Sequence, residues 1–327
     1  MKLLATNAGS YPRIGKTPEL QLLRQTIAQR EKGQQSEADL RDAEDSLTRA
    51  ALHEQIACGL DLVTDGQIRW YDPISHLAGK WENVSINGLL RFFDTNFYVR
   101  QAEVKGPILP REPILPNEFQ MAQSASDRPV KPVLTGALTL ARHSIIEYPP
   151  YQKDFVRLVE DYNEAIAQEV RGLAAAGAYV IQIDEPSILR DPASIGLLKQ
   201  ALARLSAVKG QAKLALYVYF GDPGPILEQL LDCPADIVGL DFTYNPKLAD
   251  QLAALRPAKP LGLGLLDGRN TKLEDAGAVL RALERILPRV QAEHCYLNPS
   301  SGLEYLPRDR ALQKLKHLVA IRDRANG

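Results

Sequence analysis

Val180-Ile181-Gln182-Ile183 runs straight into two adjacent carboxylates, Asp184 and Glu185, and Pro186 then stops the strand. The β-branched residues suit a buried strand. The acids therefore belong at its carboxyl end, which in a parallel α/β protein is where ligands bind. The plainer use of Asp184 is to cap the following helix. Other short apolar runs also end in chemistry-bearing residues. They supply Ser10 and Arg13, Asp65 and Gln67, Thr135, Tyr217 and Tyr219, Asp241, Asp267 with Arg269 and Asn270, and Asn298 with Ser300 and Ser301. If these tips share one mouth, the carboxylates repel one another unless partly protonated or paired with cations, for which Arg13 and Arg269 are available. Singly, each residue also suits a turn or a helix cap. As a set they describe a polar binding pocket.

A catalytic zinc needs about three or four ligands from His, Cys, Asp and Glu. Of the histidines, His53 and His317 fall in helical patterns and His294 at the start of a strand. His76 and His143 can reach the mouth but have no paired ligand at useful spacing. Cys58 and Cys233 precede strands and Cys295 lies within one. This composition argues against a zinc site. No G-x-S-x-G elbow supports a Ser–His–Asp triad either.

The elements that must hold these tips alternate along the chain. Residues 3–9, 60–63, 132–136, 179–183, 214–219, 237–240, 261–266 and 295–297 read as strands. Helical patterns cover 17–58, broken near Gly33 and resuming on a capping box at Ser36-Glu37-Ala38-Asp39. Further helices are expected at 151–176, 192–208, 225–231, 248–255, 273–290 and 308–324. Between residues 70 and 128 the rhythm fails, with a hairpin expected over 89–105 and a short helix at 120–128. Insertions of that length are commonly lids or binding loops. The pattern predicts a single (β/α)8 TIM barrel over residues 1–327, with the 70–128 hairpin and lid region inserted after strand two. An open doubly wound sheet is the alternative. It is disfavoured because no G-x-G-x-x-G follows the first strand and no P-loop occurs.

A net charge of −1 gives no electrostatic case for nucleic acid or an anionic membrane as partner. Three scattered cysteines point to a reducing compartment. The start, Met1-Lys2-Leu3-Leu4-Ala5-Thr6-Asn7, turns polar too soon for a signal peptide, and the expected location is cytoplasmic.

Several tips are also recognisable by wording and order. Ala8-Gly9-Ser10-Tyr11-Pro12-Arg13, Leu60-Asp61-Leu62-Val63-Thr64-Asp65-Gly66, Leu134-Thr135-Gly136, Ile181-Gln182-Ile183-Asp184-Glu185-Pro186 and Leu297-Asn298-Pro299-Ser300-Ser301-Gly302-Leu303 follow in sequence. Together they resemble the catalytic domain of cobalamin-independent methionine synthase, in its short core form without the N-terminal folate-binding half. The resemblance covers nearly the whole chain. It implies a (β/α)8 barrel that moves a methyl group to homocysteine, with zinc holding the sulfur as thiolate. The family's zinc ligands match Tyr217, Tyr219, Asp241 and Ser301, so the resemblance implies no bound metal or other cofactor here. In their place, the two phenols would shape the acceptor site and Asp241 would serve as a base. Ser10 and Asp184 match positions that hold the amino acid's carboxylate and amino groups. Gln67 matches a glutamate that meets the amino group. Glu185, Arg13, Arg269 and Asn270 complete the expected substrate-binding set.

Three functions follow. The first is a zinc-free methyltransferase acting on homocysteine or a related small acceptor, its donor a corrinoid protein, free methylcobamide or another methyl carrier. The second is a ligand-binding or regulatory barrel that has lost its chemistry. The third is a uroporphyrinogen decarboxylase-like enzyme using Arg13, Arg69 and Arg269 to bind carboxylates.

Overall fold

A ring of parallel strands has no edge, and each strand must return through a crossover. The computed structural model describes residues 1–327 and builds that ring. In chain order the strands are β1 (Lys2–Ala5), β2 (Glu82–Arg91), β3 (Tyr98–Leu109), β4 (Val133–Thr135) and β5 (Ile145–Ile146). There follow β6 (Val180–Asp184), β7 (Lys213–Val218), β8 (Ile237–Asp241), β9 (Leu261–Leu266) and β10 (His294–Pro299). Seven of them form a parallel sheet in the order β1-β10-β9-β8-β7-β6-β4.

The expected strand at 60–63 closes the ring as two isolated parallel bridges, Thr6 with Leu62 and Val63 with Val130. Side chains take part of its pairing, at Ala5 N–H on one side and at Thr64 where the stave ends. The Asp61 carboxylate accepts from Ala5 N at 2.8 Å. Gln55 clamps Thr64 from both sides, accepting from its N–H at 3.1 Å and donating to its carbonyl at 2.8 Å. The barrel is complete, its short stave held by backbone bonds to the Ala5 and Pro129 carbonyls and from Lys131 N–H, with the Asp61 and Gln55 side chains adding to them.

Inside the ring, Leu62, Val180, Ala215, Tyr217, Ile237 and Tyr296 form a separate apolar layer. Tyr217 fits only because its neighbours are Gly239 and Gly262, where an added Cβ would overlap its ring or hydroxyl. The larger core lies between the ring and its helices. The helix Glu37–Cys58 starts on the expected capping box, with Asp39 N–H donating to the Ser36 hydroxyl and Ser36 N–H donating to Asp39. The helix Phe155–Ala175 buries Leu158, Tyr162, Ile166 and Val170 on one face. No helix is long and apolar enough to cross a membrane.

The hairpin is longer than the sequence indicates: β2 and β3 pair antiparallel from Glu82 to Leu109, and β5 joins β3 in parallel. The short helix expected at 120–128 instead occupies Leu115–Ser124. Its start is set by tertiary contact, since the Glu169 carboxylate caps Ile114 N–H at 3.1 Å and Leu115 N–H at 3.0 Å. Local pattern carries no trace of such a cap.

Replacing Gln55 by leucine should strand the buried N–H and C=O of Thr64 and destabilise the fold by about 2 kcal/mol in denaturant unfolding. A loss below about 0.5 kcal/mol would mean that the short stave has other support.

Candidate active site

The tips of the first, second and last staves meet because a buried arginine ties them. Arg308 donates to Glu54 at 3.0 Å and to the Pro12 carbonyl at 2.8 Å, and lies 5.2 Å from the Tyr11 ring centroid. Tyr11 donates its hydroxyl to Glu54 at 2.8 Å and its N–H to the Gly66 carbonyl at 2.9 Å. These anchors shape a cavity of 350 Å³ whose polar lining includes Ser10, Arg13, Gln67, Asp72 and Glu304. Trp70, Tyr71 and Phe97 give it aromatic walls, Phe97 reaching in from the β2–β3 turn.

Within this cavity Ser10 donates its hydroxyl to Glu304. Burial pushes the Glu304 carboxyl above its usual range. Gln67 donates to the Val133 carbonyl at 3.2 Å and holds a left-handed φ of 49°. Arg13 stacks 5.0 Å from the Tyr71 centroid, with no carboxylate at ion-pair distance and its Nε buried without a partner. Asp72, by contrast, is fully committed to Ile74, Ser75 and Arg100.

Asp184 sits at the end of β6 beside this cavity. Its Oδ1 accepts from Gln182 at 2.6 Å and its Oδ2 from the Tyr219 hydroxyl at 3.0 Å. Burial pushes the carboxyl up to about 7, against the bonds from Gln182 and Tyr219 and the charge of Lys131; Glu304 adds to the upward push. A group titrating there can be proton donor or acceptor at neutral pH. Glu185 points elsewhere. Its carboxylate caps the helix Ala137–Arg142, accepting from Leu138 N–H, Thr139 N–H and the Thr139 hydroxyl at 2.6–2.9 Å.

The four positions matched to zinc ligands do not form a metal centre. Tyr217 lies inside the ring, 4.8 Å below the Lys131 ammonium. Tyr219 is bound to Asp184. Asp241 accepts from Thr243 N–H, the Thr243 hydroxyl and Phe220 N–H, and burial raises its carboxyl to about 6. Ser301 is fully buried and bonds only the Gly302 carbonyl, at 3.4 Å. No three His, Cys, Asp or Glu side chains converge to hold a metal ion. The donor set does not fit zinc.

Arg269 and Asn270 are also outside the cavity. Asn270 accepts from Lys272 N–H as a turn residue. Arg269 pairs with Asp94 of the hairpin turn at 2.9 Å, and Tyr244 donates to the same carboxylate at 2.7 Å. This latch presses Phe92 and Phe93 onto Phe220 and His143. Phe220 holds a left-handed φ of 65°, a costly backbone for an aromatic residue, and its ring also meets Tyr219 and Tyr305. His76 is used elsewhere, bonded to Glu118 at 2.9 Å and stacked on Trp70.

Sequence reading missed Glu304, Tyr305, Lys131 and the role of Gln182. Gln182 lies two residues before Asp184 on the same strand, and Glu304 follows the Asn298–Leu303 motif directly. Lys131 left one signal, a lone cation at the head of an apolar strand.

The ring, its inserted hairpin and the polar rim define a (β/α)8 barrel with a polar cavity at the carboxyl ends of its strands. The chain belongs to the family of the cobalamin-independent synthase catalytic domain, a methionine synthase-like methyltransferase domain, and the family model matches residues 3–324. It is 32% identical over 320 residues to a methionine synthase of Saccharolobus solfataricus, covering 97% of this chain and 93% of that one. A methionine synthase of Sulfurisphaera tokodaii is 30% identical over 323 residues, covering 97% and 90%. A B12-independent methionine synthase from Shewanella sp., solved with selenomethionine, superposes with a TM-score of 0.79 at 19% identity, covering 99% and 97%. A putative vitamin-B12-independent methionine synthase from Listeria monocytogenes also gives 0.79, at 18% identity, covering all of both chains.

Two outcomes test this geometry. The Asp184 carboxyl titrates at about 7 in the folded protein, above the ordinary value of roughly 4, so stability is lost as pH rises between these two values. Asp184→Asn should raise the melting temperature at pH 8 by on the order of 2–4 °C and leave it unchanged at pH 4. Equal melting points at both pH values would show that the ionised carboxylate is not strained. The Arg269–Asp94 pair is partly exposed and worth about 1 kcal/mol. Arg269→Ala should therefore speed amide exchange across residues 92–97 by about fivefold; unchanged exchange would show that the aromatic contacts alone hold the turn.

Proposed function

We propose that this domain transfers a methyl group to the sulfur of homocysteine, or of a related small amino-acid thiol, without zinc. One observation carries the reading: Ser10, Gln67 and Asp184, matched to the family's amino-acid-holding positions, stand together at the barrel mouth around or beside one cavity. Arg13, with no carboxylate partner, suits the amino acid's carboxylate. Asp184 suits its ammonium group, and the nearby Glu304 gives the ammonium a second carboxyl. Thiol activation then falls to a protein base. Asp184, titrating near neutrality and standing next to the cavity-lining Glu304, is better placed for it than Asp241, which is held by Thr243 and the Phe220 N–H and does not line that cavity.

A second reading has support of its own. The Glu304 carboxylate already occupies the Ser10 hydroxyl, and the aromatic turn is latched across the mouth. Both features suit a barrel that binds an amino acid and performs no transfer. The decarboxylase-like reading is weakened because Arg69 pairs with Glu44 and Asp45, and Arg269 with Asp94.

The test is methionine formation from homocysteine with methylcobalamin or 5-methyltetrahydrofolate as donor, in the presence of a chelator. The expected result is product that survives chelation and falls at least tenfold in Asp184→Asn. Homocysteine binding with no product from either donor would replace methyl transfer with the binding-only reading.

A further inference from the structure

Lys131 is a charge sealed inside the ring. It is 1% exposed at the head of β4, and no carboxylate touches it. Its ammonium donates to the Asn7 carbonyl at 3.0 Å and to Gln182 Oε1 at 2.5 Å, and faces the Tyr217 ring at 4.8 Å. A buried ammonium is costly unless such acceptors surround it. It is enclosed by Asn7, Gln182 and Tyr217 and cannot meet a ligand directly. Whatever it does passes through a neighbour.

That neighbour is Gln182. An ammonium can only donate, so it dictates which way the Gln182 amide points. With Oε1 turned to Lys131, the amide nitrogen faces outward and donates to the Ala8 carbonyl at 2.5 Å and to Asp184 Oδ1 at 2.6 Å. A flipped amide would set its oxygen against the carboxylate. We propose that Lys131 is a positioning residue for Asp184: acting through Gln182, it fixes the carboxylate's orientation and favours its ionised form.

The groups facing Asp184 are Lys131 from the head of β4, Gln182 from β6, Tyr217 and Tyr219 from β7 and its tip, and Glu304 and Tyr305 from the last loop. Burial and Glu304 favour the neutral acid, the Gln182 amide and the Tyr219 hydroxyl favour the carboxylate by donating to it, and Lys131 is the one cation among these groups. Burial brings the lysine itself down to about 7, while the Asp184 charge pulls it back up. Removing the cation therefore raises the Asp184 titration.

The consequence for ligand binding rests on the reading of Asp184 as the ammonium contact, but the test is made on the free protein. The Asp184 carboxyl can be followed by carbon-13 NMR in protein labelled at aspartate, its signal assigned with Asp184→Asn. Lys131→Gln keeps a donor toward Gln182 but removes the charge. Its Asp184 midpoint should move up by about one pH unit. Gln182→Leu keeps the charge but cuts the link, and should also move the midpoint up. A midpoint within about 0.2 units of the parent in either folded variant overturns the proposal. If Lys131→Gln does not fold, Lys131→Met, which removes the same charge, is measured in its place with the same expected shift. Failure of the methyl-transfer reading would show separately, as absent turnover with these shifts intact.

Discussion

The bond between the Lys131 ammonium and the Gln182 side chain orders the interior of this barrel. From Gln182 a hydrogen-bonded chain runs outward to Asp184 and Tyr219 at the mouth. From Lys131 it runs the other way, through Asn7 to Thr64 and Gln55. The tips of four staves are thus held by one polar chain crossing the ring. Low-dielectric surroundings make each bond in such a chain strong and each missing partner expensive. The position of Asp184 is inherited from groups far below the surface.

Above that chain the mouth is filled in a different way. Where the family resemblance places zinc ligands, this chain has phenols, an engaged aspartate and a buried serine. Phe92, Phe93 and Phe220 pack over the same side of the mouth, and the Asp94–Arg269 pair keeps the turn down. The open cavity lies beside this aromatic cover, at the tips of the first, second and last staves. The polar cavity lining and the apolar cover are therefore laterally separated, with Asp184, Glu304 and Tyr305 at the boundary between them.

Much of the barrel was legible because its determinants are periodic and local: apolar runs broken by Gly, Pro and capping residues at steady intervals. What escaped reading is tertiary. The stave at 60–63 ends where Gln55 clamps Thr64, and the helix Leu115–Ser124 starts where Glu169 caps it. Similarly, the Asp184-Glu185 pair reads as two equivalent acids, yet one faces the mouth and the other caps a helix. Adjacent residues on a strand point to opposite sides, and the direction of each depends on neighbours that sequence spacing does not reveal. Arg269 illustrates the same limit, since its partner Asp94 is 175 residues away.

The measurement that bears most directly on zinc-free chemistry is the zinc content of the purified protein saturated with homocysteine. A thiol is a strong zinc ligand, so its presence gives the metal every opportunity to bind. Bound homocysteine with far less than one zinc per chain is the predicted result. Stoichiometric zinc retained with the thiol would contradict it, and would require Asp241 and its neighbours to rearrange into a metal site.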